Sequence, residues 1–228
     1  KDFTEFFDKV DAAFLNDWGV EYTTLLGICM FGASIAEKQE TSVVSMTEAN
    51  LLKELEKLSD GKAHIEIALK KLSFEHESSV ISEKLGYKNN DYFPWKYNRE
   101  FSYARRPFVQ VNTKTGKEYF WGMRQCIAAS RYLHELLHSG KLTHGGEYIN
   151  KVLGEINLEN GKDFREEVAN WLSANTDLVI WDYEVTIKPS GHLEADRNYG
   201  DCDIFAFDKA SNIIYNIECK RTEAARNI

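Results

Sequence analysis

The sequence predicts an α/β protein, and three observations carry that reading. Apolar residues recur at helical spacing through the first 90 residues. Alternating or continuous apolar runs bounded by polar turns follow from residue 177 onward. Between them an amphipathic stretch at 163–173 leads into three strand-like segments, giving the order helix, strand, strand, strand. The 228 residues allow one or two domains with a sizeable core. Three regions are expected: a helical one over 1–90, a basic hairpin-plus-helix region over 91–157, and an α/β core over 158–228.

Phe3–Phe14 and Tyr22–Ala36 are apolar enough to pack as helices, and Ala33-Ser34-Ile35-Ala36 suits a buried one. Leu51, Leu52, Leu55 and Leu58 predict a helix over Thr47 to Leu58, with Ser45 or Thr47 as its cap. Asp60-Gly61 ends it. Ala63 to Leu72 forms the next, through Ile65, Ile67, Ala68, Leu69 and Leu72. Two short helices around a glycine turn suggest helix-turn-helix geometry. The second helix carries only Lys62, Lys70 and Lys71, offset by Glu66, so plain packing is the better account.

The net charge of −8 is unevenly spread: −6 over 1–90, +5 over 91–131 and −7 over 132–228. The basic stretch holds Lys96, Arg99, Arg105, Arg106, Lys114, Lys117, Arg124 and Arg131 among Trp95, Tyr97, Phe101, Tyr103, Phe108, Tyr119, Phe120 and Trp121. Cations contact phosphates and aromatic rings stack on unpaired bases, so this composition suits a nucleic-acid groove with Arg105, Arg106, Lys114 and Lys117 as phosphate contacts. The same alternation in Phe101–Val111 and Glu118–Trp121 also describes an ordinary hairpin with a solvated face. Polar segments at Asn89-Asn90-Asp91 and at 157–161 are the expected junctions.

Residues 134–138 read His-Glu-Leu-Leu-His, with His144 at the spacing of a third ligand. Histidines at i and i+4 share a helix face and can chelate zinc, with Glu135 as general base. The pattern resembles the metzincin proteases but departs from it twice. Lys141 stands where their turn glycine would be, and no methionine follows the motif. A structural reading also serves: Ile127, Leu133, Leu136 and Leu137 face a core, His138 suits a helix C-terminus, and Gly140 ends the helix.

Asp163 is a plausible N-cap with Glu166 as capping-box partner, and Phe164, Val168, Trp171 and Leu172 form the apolar stripe. Arg165 and Glu167 flank that stripe on opposite sides. Asp177 to Ile187 supplies the first strand and Ile204 to Phe207 the second. Lys209-Ala210-Ser211-Asn212 makes a hairpin loop, and Ile213-Ile214-Tyr215-Asn216-Ile217, read as a buried strand, leads into Glu218-Cys219-Lys220. A loop centred between Ala210 and Ser211 sets Asp203 directly opposite Glu218, roughly 4.5–5.5 Å apart at Cβ. Glu218 and Lys220 share a face. Two carboxylates that close repel unless a cation lies between them, so the arrangement reads as a divalent-metal site beside a lysine. The alternative is a salt-bridged hairpin rim.

An acidic residue opening one strand, with Glu-x-Lys ending the next, resembles the PD-(D/E)xK, or restriction-endonuclease-like, nuclease superfamily, over about residues 160–222. The resemblance implies a mixed sheet around 177–220 flanked by the 163–173 helix. It implies a metal-dependent phosphodiesterase acting on nucleic acid, DNA before RNA, in restriction, anti-phage defence or repair. Asp203 and Glu218, with the carbonyl of Cys219, would hold Mg²⁺ or Mn²⁺. Lys220 would orient the attacking water, and Asp201 would pair with Lys220 or assist a second metal. Family members often place a helix glutamate directly after the first aromatic, where this sequence has Arg165, so Glu167 becomes the peripheral contact. The family core continues past Glu-x-Lys, so the sequence is expected to be a piece of a longer protein, or to be completed by another segment or a partner subunit. A third class is a nucleic-acid-binding module that keeps the fold without activity.

No run approaches 18 apolar residues, so no transmembrane helix is expected. Cys29, Cys126, Cys202 and Cys219 show no pairing pattern, which points to reduced thiols in a cytoplasmic protein.

Overall fold

The computed structural model describes residues 3–58, 62–75 and 102–220. Asp60-Gly61, the Asn89-Asn90-Asp91 junction and Trp95 to Phe101 of the basic stretch lie outside the described residues. The chain divides into two compact units, 1–156 and 157–228.

In the first unit, α1 (Phe3–Trp18) and α2 (Tyr22–Lys38) are joined by a turn at Gly19, whose φ of 73° suits glycine. The unit buries one side of α2: Tyr22, Leu25, Ile28, Cys29, Ala33, Ile35 and Ala36 all face the core. A short strand β1 (Val44–Thr47) precedes α3 (Glu48–Leu55), which buries Leu51 and Leu55 and ends before Leu58. Thr47 occupies the N-cap position but makes no side-chain cap bond. Helix α4 (Lys62–Leu72) buries Ile65, Ala68, Leu69 and Leu72, runs into β2 (Ser73–Glu75), and leaves Ile67 exposed.

Strands β3 (Phe108–Thr113) and β4 (Gly116–Trp121) form the expected hairpin around Lys114 and Thr115. It is the centre of a four-stranded mixed sheet, order β1-β4-β3-β2, in which β2 alone runs parallel to its neighbour. The 1–90 and 91–157 regions are thus woven into one sheet. Strands of four and three residues are too short to show a period of two, which is why the first region reads as mainly helical in sequence and its strands go unseen.

Helix α5 (Met123–His138) packs Cys126, Ala129, Leu133, Leu136 and Leu137 inward. Gly140, at φ 65°, closes it: its N–H bonds the Leu137 carbonyl, and the Lys141 N–H bonds that of Leu136. This is a Schellman end. Gly32 of α2 lies hard against β3 and α5, since a Cβ there would lie 2.9 Å from the Phe108 ring and 3.2 Å from Cys126 Sγ. The Gly32 carbonyl also accepts the Trp121 Nε1–H bond at 2.9 Å.

Helix α6 (Glu147–Asn175) begins in the first unit, where the Asp17 carboxylate accepts the Ile149 N–H at 2.7 Å, and ends in the second. Asp163 is therefore not an N-cap but a mid-helix residue, and the polar 157–161 segment is helical although the units divide there. Gly161 costs a helix only about 1 kcal/mol, which amphipathic turns on both sides outweigh.

The second unit continues with β5 (Val179–Ile187), β6 (Gly200–Asp208) and β7 (Ile213–Ile217), an antiparallel sheet of order β5-β6-β7. The sheet expected to be mixed at 177–220 is antiparallel here, and the mixed sheet lies in the other unit. A restriction-endonuclease-like type is thus an expectation that the helix and three strands match only in order. β6 is central, with Cys202, Ile204, Phe205 and Ala206 buried. β7 was expected to be buried and is not: Ile213, Ile214 and Tyr215 are all exposed, because β7 is an edge strand. Its apolar run reports strand propensity rather than depth.

Gly32→Ala should destabilise the first unit by about 1–3 kcal/mol, because the buried Phe108 ring cannot retreat from the new methyl. Chemical denaturation checks this. An unchanged or raised midpoint would contradict the close packing of α2 on β3.

Candidate functional site

The site is built on the β6–β7 hairpin. Asp208 closes the loop: its carboxylate accepts the Ala210 N–H at 2.8 Å and the Ser211 hydroxyl at 2.5 Å, while Asn212 takes a left-handed φ of 57°. The ladder runs from Asp208↔Ile213 to Ile204↔Ile217. That register, carried one residue further, sets Asp203 opposite Glu218, as the loop sequence predicts. Alternation along β6 puts Asp203 on the face opposite to buried Cys202 and Ile204.

Asp203 is held from two sides. Its Oδ2 accepts the backbone N–H of Cys219 at 2.7 Å, and its Oδ1 lies 3.9 Å from Arg165 Nη1 of α6. Arg165 pairs more closely with Glu184, at 2.8 Å. Glu184 is the β5 residue opposite Asp203, because Tyr183↔Ile204 and Val185↔Cys202 flank the two. Its φ of 52° is left-handed. That conformation costs a non-glycine residue about 1–2 kcal/mol, and such strain concentrates at functional sites.

Lys220 Nζ lies 3.1 Å from Glu218 Oε1, so the two share a face as expected, and both are largely exposed. Asp201 is exposed and sits opposite Thr186, while Lys220 pairs with Glu218. Burial raises the pKa of the Cys219 thiol, with the nearby Asp203 carboxylate adding to it. A protonated thiol is a poor ligand, which leaves the backbone carbonyl as the donor Cys219 can offer.

The helix contribution differs from expectation. Arg165, with only 13% of its side chain exposed, is the α6 residue that reaches Asp203 and Glu184. Glu167 lies two residues on, about 200° around the helix, and is exposed, as is Glu166. The inward side of α6 takes in Arg165 and Ala169, whereas Trp171 of the expected stripe is 60% exposed. Sequence reading missed Glu184 altogether. Only the register of β5, hidden by a shift between Ile180 and Asp182, reveals it.

Of the four expected phosphate contacts, two belong to the fold. Arg105 is buried and donates to the Thr143 hydroxyl at 3.1 Å and the Thr143 carbonyl at 3.3 Å. Arg106 donates to the Ser73 carbonyl at 3.1 Å. An arginine fork can staple a loop as readily as it binds phosphate, and charge counted along a sequence does not tell the two apart. Lys117 pairs with Glu48 at 3.2 Å, and Lys114 is exposed at the hairpin tip. All four belong to the first unit, whereas Asp203, Glu218 and Lys220 belong to the second.

On α5, His134 and His138 have ring centroids 4.2 Å apart, and His138 stacks on Phe6. His134 Nδ1 is 3.4 Å from the Tyr22 hydroxyl. Burial, and then the neighbouring His134, lower the pKa of His138. Among the described residues no group of three or more His, Cys, Asp or Glu is placed to hold a metal ion. A catalytic zinc needs three protein ligands, so His134, His138 and His144 do not fit one. Mg²⁺ is commonly held by one or two carboxylates together with waters and substrate oxygens. Asp203, Glu218 and the Cys219 carbonyl are an all-oxygen set of that kind, and they fit it.

The fold and site define a mixed α/β protein of two units, with facing carboxylates and a lysine on a small antiparallel sheet. The family model described as anti-phage protein Upx-like matches residues 10–228. The chain belongs to that family. Neither a curated protein nor a solved structure matches it. Among the described residues no single helix is long and apolar enough to cross a membrane, and all four cysteines are free thiols.

Arg105→Gln should lower the stability of the first unit by about 1–3 kcal/mol, since the buried Arg105 guanidinium loses its hydrogen bonds to the Thr143 hydroxyl and carbonyl. Nucleic-acid affinity at a temperature where the variant is folded should be unchanged. Retained stability with weakened, less salt-dependent binding would restore Arg105 as a phosphate contact.

Proposed function

We propose that this protein is a metal-dependent nuclease that hydrolyses phosphodiester bonds, in DNA before RNA, as the effector of an anti-phage response in the cytoplasm. The observation that carries the reading is the hairpin register, which sets Asp203 opposite Glu218 with Lys220 on the Glu218 side. Asp203, Glu218 and the Cys219 carbonyl would hold Mg²⁺ or Mn²⁺. When bound, the ion supplies Lewis acidity: a more acidic water and compensation for charge gathering on the phosphate.

The residues divide the remaining work. The Cys219 N–H fixes one oxygen of Asp203 and leaves the other without a backbone donor in that bond. Glu218 keeps Lys220 within reach of the same place. There Lys220, a compact point charge with three donors, orients a water for attack and stabilises the developing anion. Lys114 and Lys117 remain the phosphate contacts of the basic hairpin in this reading.

A second reading, a nucleic-acid-binding module without hydrolysis, has one observation in its favour. Arg165 places a cation beside Asp203 where the superfamily pattern has an acidic helix residue. Incubation of the full-length protein with plasmid, single-stranded DNA and RNA, in Mg²⁺, Mn²⁺ or EDTA, separates the two. Cleavage should require the metal, and Asp203→Ala, Glu218→Ala and Lys220→Ala should each lower its rate about a hundredfold or more. Binding without cleavage, unaltered by the three substitutions, would favour the module. Cleavage that survives them would overturn both the assignment and the site.

A further inference from the structure

The carboxylate of Glu184 and the guanidinium of Arg165 have no role in the site as derived above, yet they form its tightest ion pair. Arg165 Nη1 is 2.8 Å from Glu184 and 3.9 Å from Asp203. The guanidinium is nearly enclosed, with 13% of the side chain exposed, so it cannot drift away into solvent. It has two carboxylates to choose from, one on each of two adjacent strands, and it is drawn to Glu184. Glu184 in turn adopts a left-handed backbone to sit opposite Asp203.

Coulomb attraction alone would pull an enclosed guanidinium onto Asp203 as a bidentate pair, which is the stronger geometry for arginine and carboxylate. Such a pair would cover both Asp203 oxygens and cancel its charge. A divalent cation could then bind only by displacing an arginine. With Glu184 holding Arg165 at 2.8 Å, the triad of Arg165, Glu184 and Asp203 keeps a net charge of −1, centred on Asp203. Oδ1 of Asp203 stays open while the Cys219 N–H steadies Oδ2.

We infer that Glu184 and Arg165 are positioning residues: Glu184 tethers Arg165 away from Asp203 and so keeps the Asp203 carboxylate available to a divalent cation. This deepens the nuclease reading and rests on it for the metal. The geometry of the tether itself does not.

The test uses full-length protein and Mn²⁺ alone, followed by isothermal titration. Glu184→Gln releases Arg165 onto Asp203 and should weaken Mn²⁺ binding by about tenfold or more, the usual effect of losing a group that orients a metal ligand. The double variant Glu184→Gln with Arg165→Gln removes the competitor and should return binding to near the wild-type value. Equal weakness in the single and double variants would make Glu184 a direct ligand or a structural residue, and overturn the tether. Unchanged binding in Glu184→Gln would overturn it too.

A second readout needs no metal. The Arg165 Nε–H resonance should hardly respond to Asp203→Asn in the wild-type background and respond clearly in the Glu184→Gln background. If Mn²⁺ binding proves independent of Asp203, the metal reading fails and this resonance alone judges the tether. The same response in both backgrounds would end it.

Discussion

The candidate site depends on the register of one hairpin. Asp208 ties down a four-residue loop through its own carboxylate, and the β6–β7 ladder follows from where that loop is centred. A slip of one residue would turn every side chain of β7 to the other face. Glu218 and Lys220 would then leave the Asp203 face, and Cys219 would take their place. Apolar burial does little to protect the register, because β7 is an exposed edge. The loop hydrogen bonds and the Cys219–Asp203 bond at the far end do that work instead.

Charge is the second constraint. Three carboxylates, Glu184 on β5, Asp203 on β6 and Glu218 just past β7, meet two cations, Arg165 and Lys220, that divide them unequally. Glu184 and Glu218 have the short pairs, at 2.8 and 3.1 Å. Asp203 has only the more distant one. The least neutralised carboxylate is therefore the one whose remaining oxygen is not bonded to backbone. A salt-bridged rim would be expected to pair its acids evenly. Membership of an anti-phage family is compatible with a hydrolytic site of this kind and does not by itself supply the chemistry.

Much of this was legible in the sequence wherever local rules decide. The β6–β7 loop, the Gly140 helix end and the inward residues of α2 and α5 follow from turn chemistry and periodicity. Asp203 facing Glu218 followed from counting outward from the loop. The failures share a cause: they turn on what lies across space. Arg165 reads as a surface charge at the edge of a helical stripe until Glu184 and Asp203 are placed beside it. Glu184 becomes visible only after the shift at Ile180/Asp182 is known. Arg105 and Arg106 look like phosphate contacts until Thr143 and Ser73 are seen to accept from them. Asp163 looks like a cap because Glu166 stands at capping-box spacing before an apolar stripe, yet the helix runs through. The exposure of β7 is likewise a matter of neighbours rather than composition.

The central claim is that Asp203 and Glu218 form one cation site. Anomalous diffraction from crystals of the full-length protein grown with Mn²⁺ tests it most directly. The account predicts a peak in contact with carboxylate oxygens of both Asp203 and Glu218 and with the Cys219 carbonyl. A peak at His134 and His138 instead, or none beside Asp203 at saturating Mn²⁺, would contradict it.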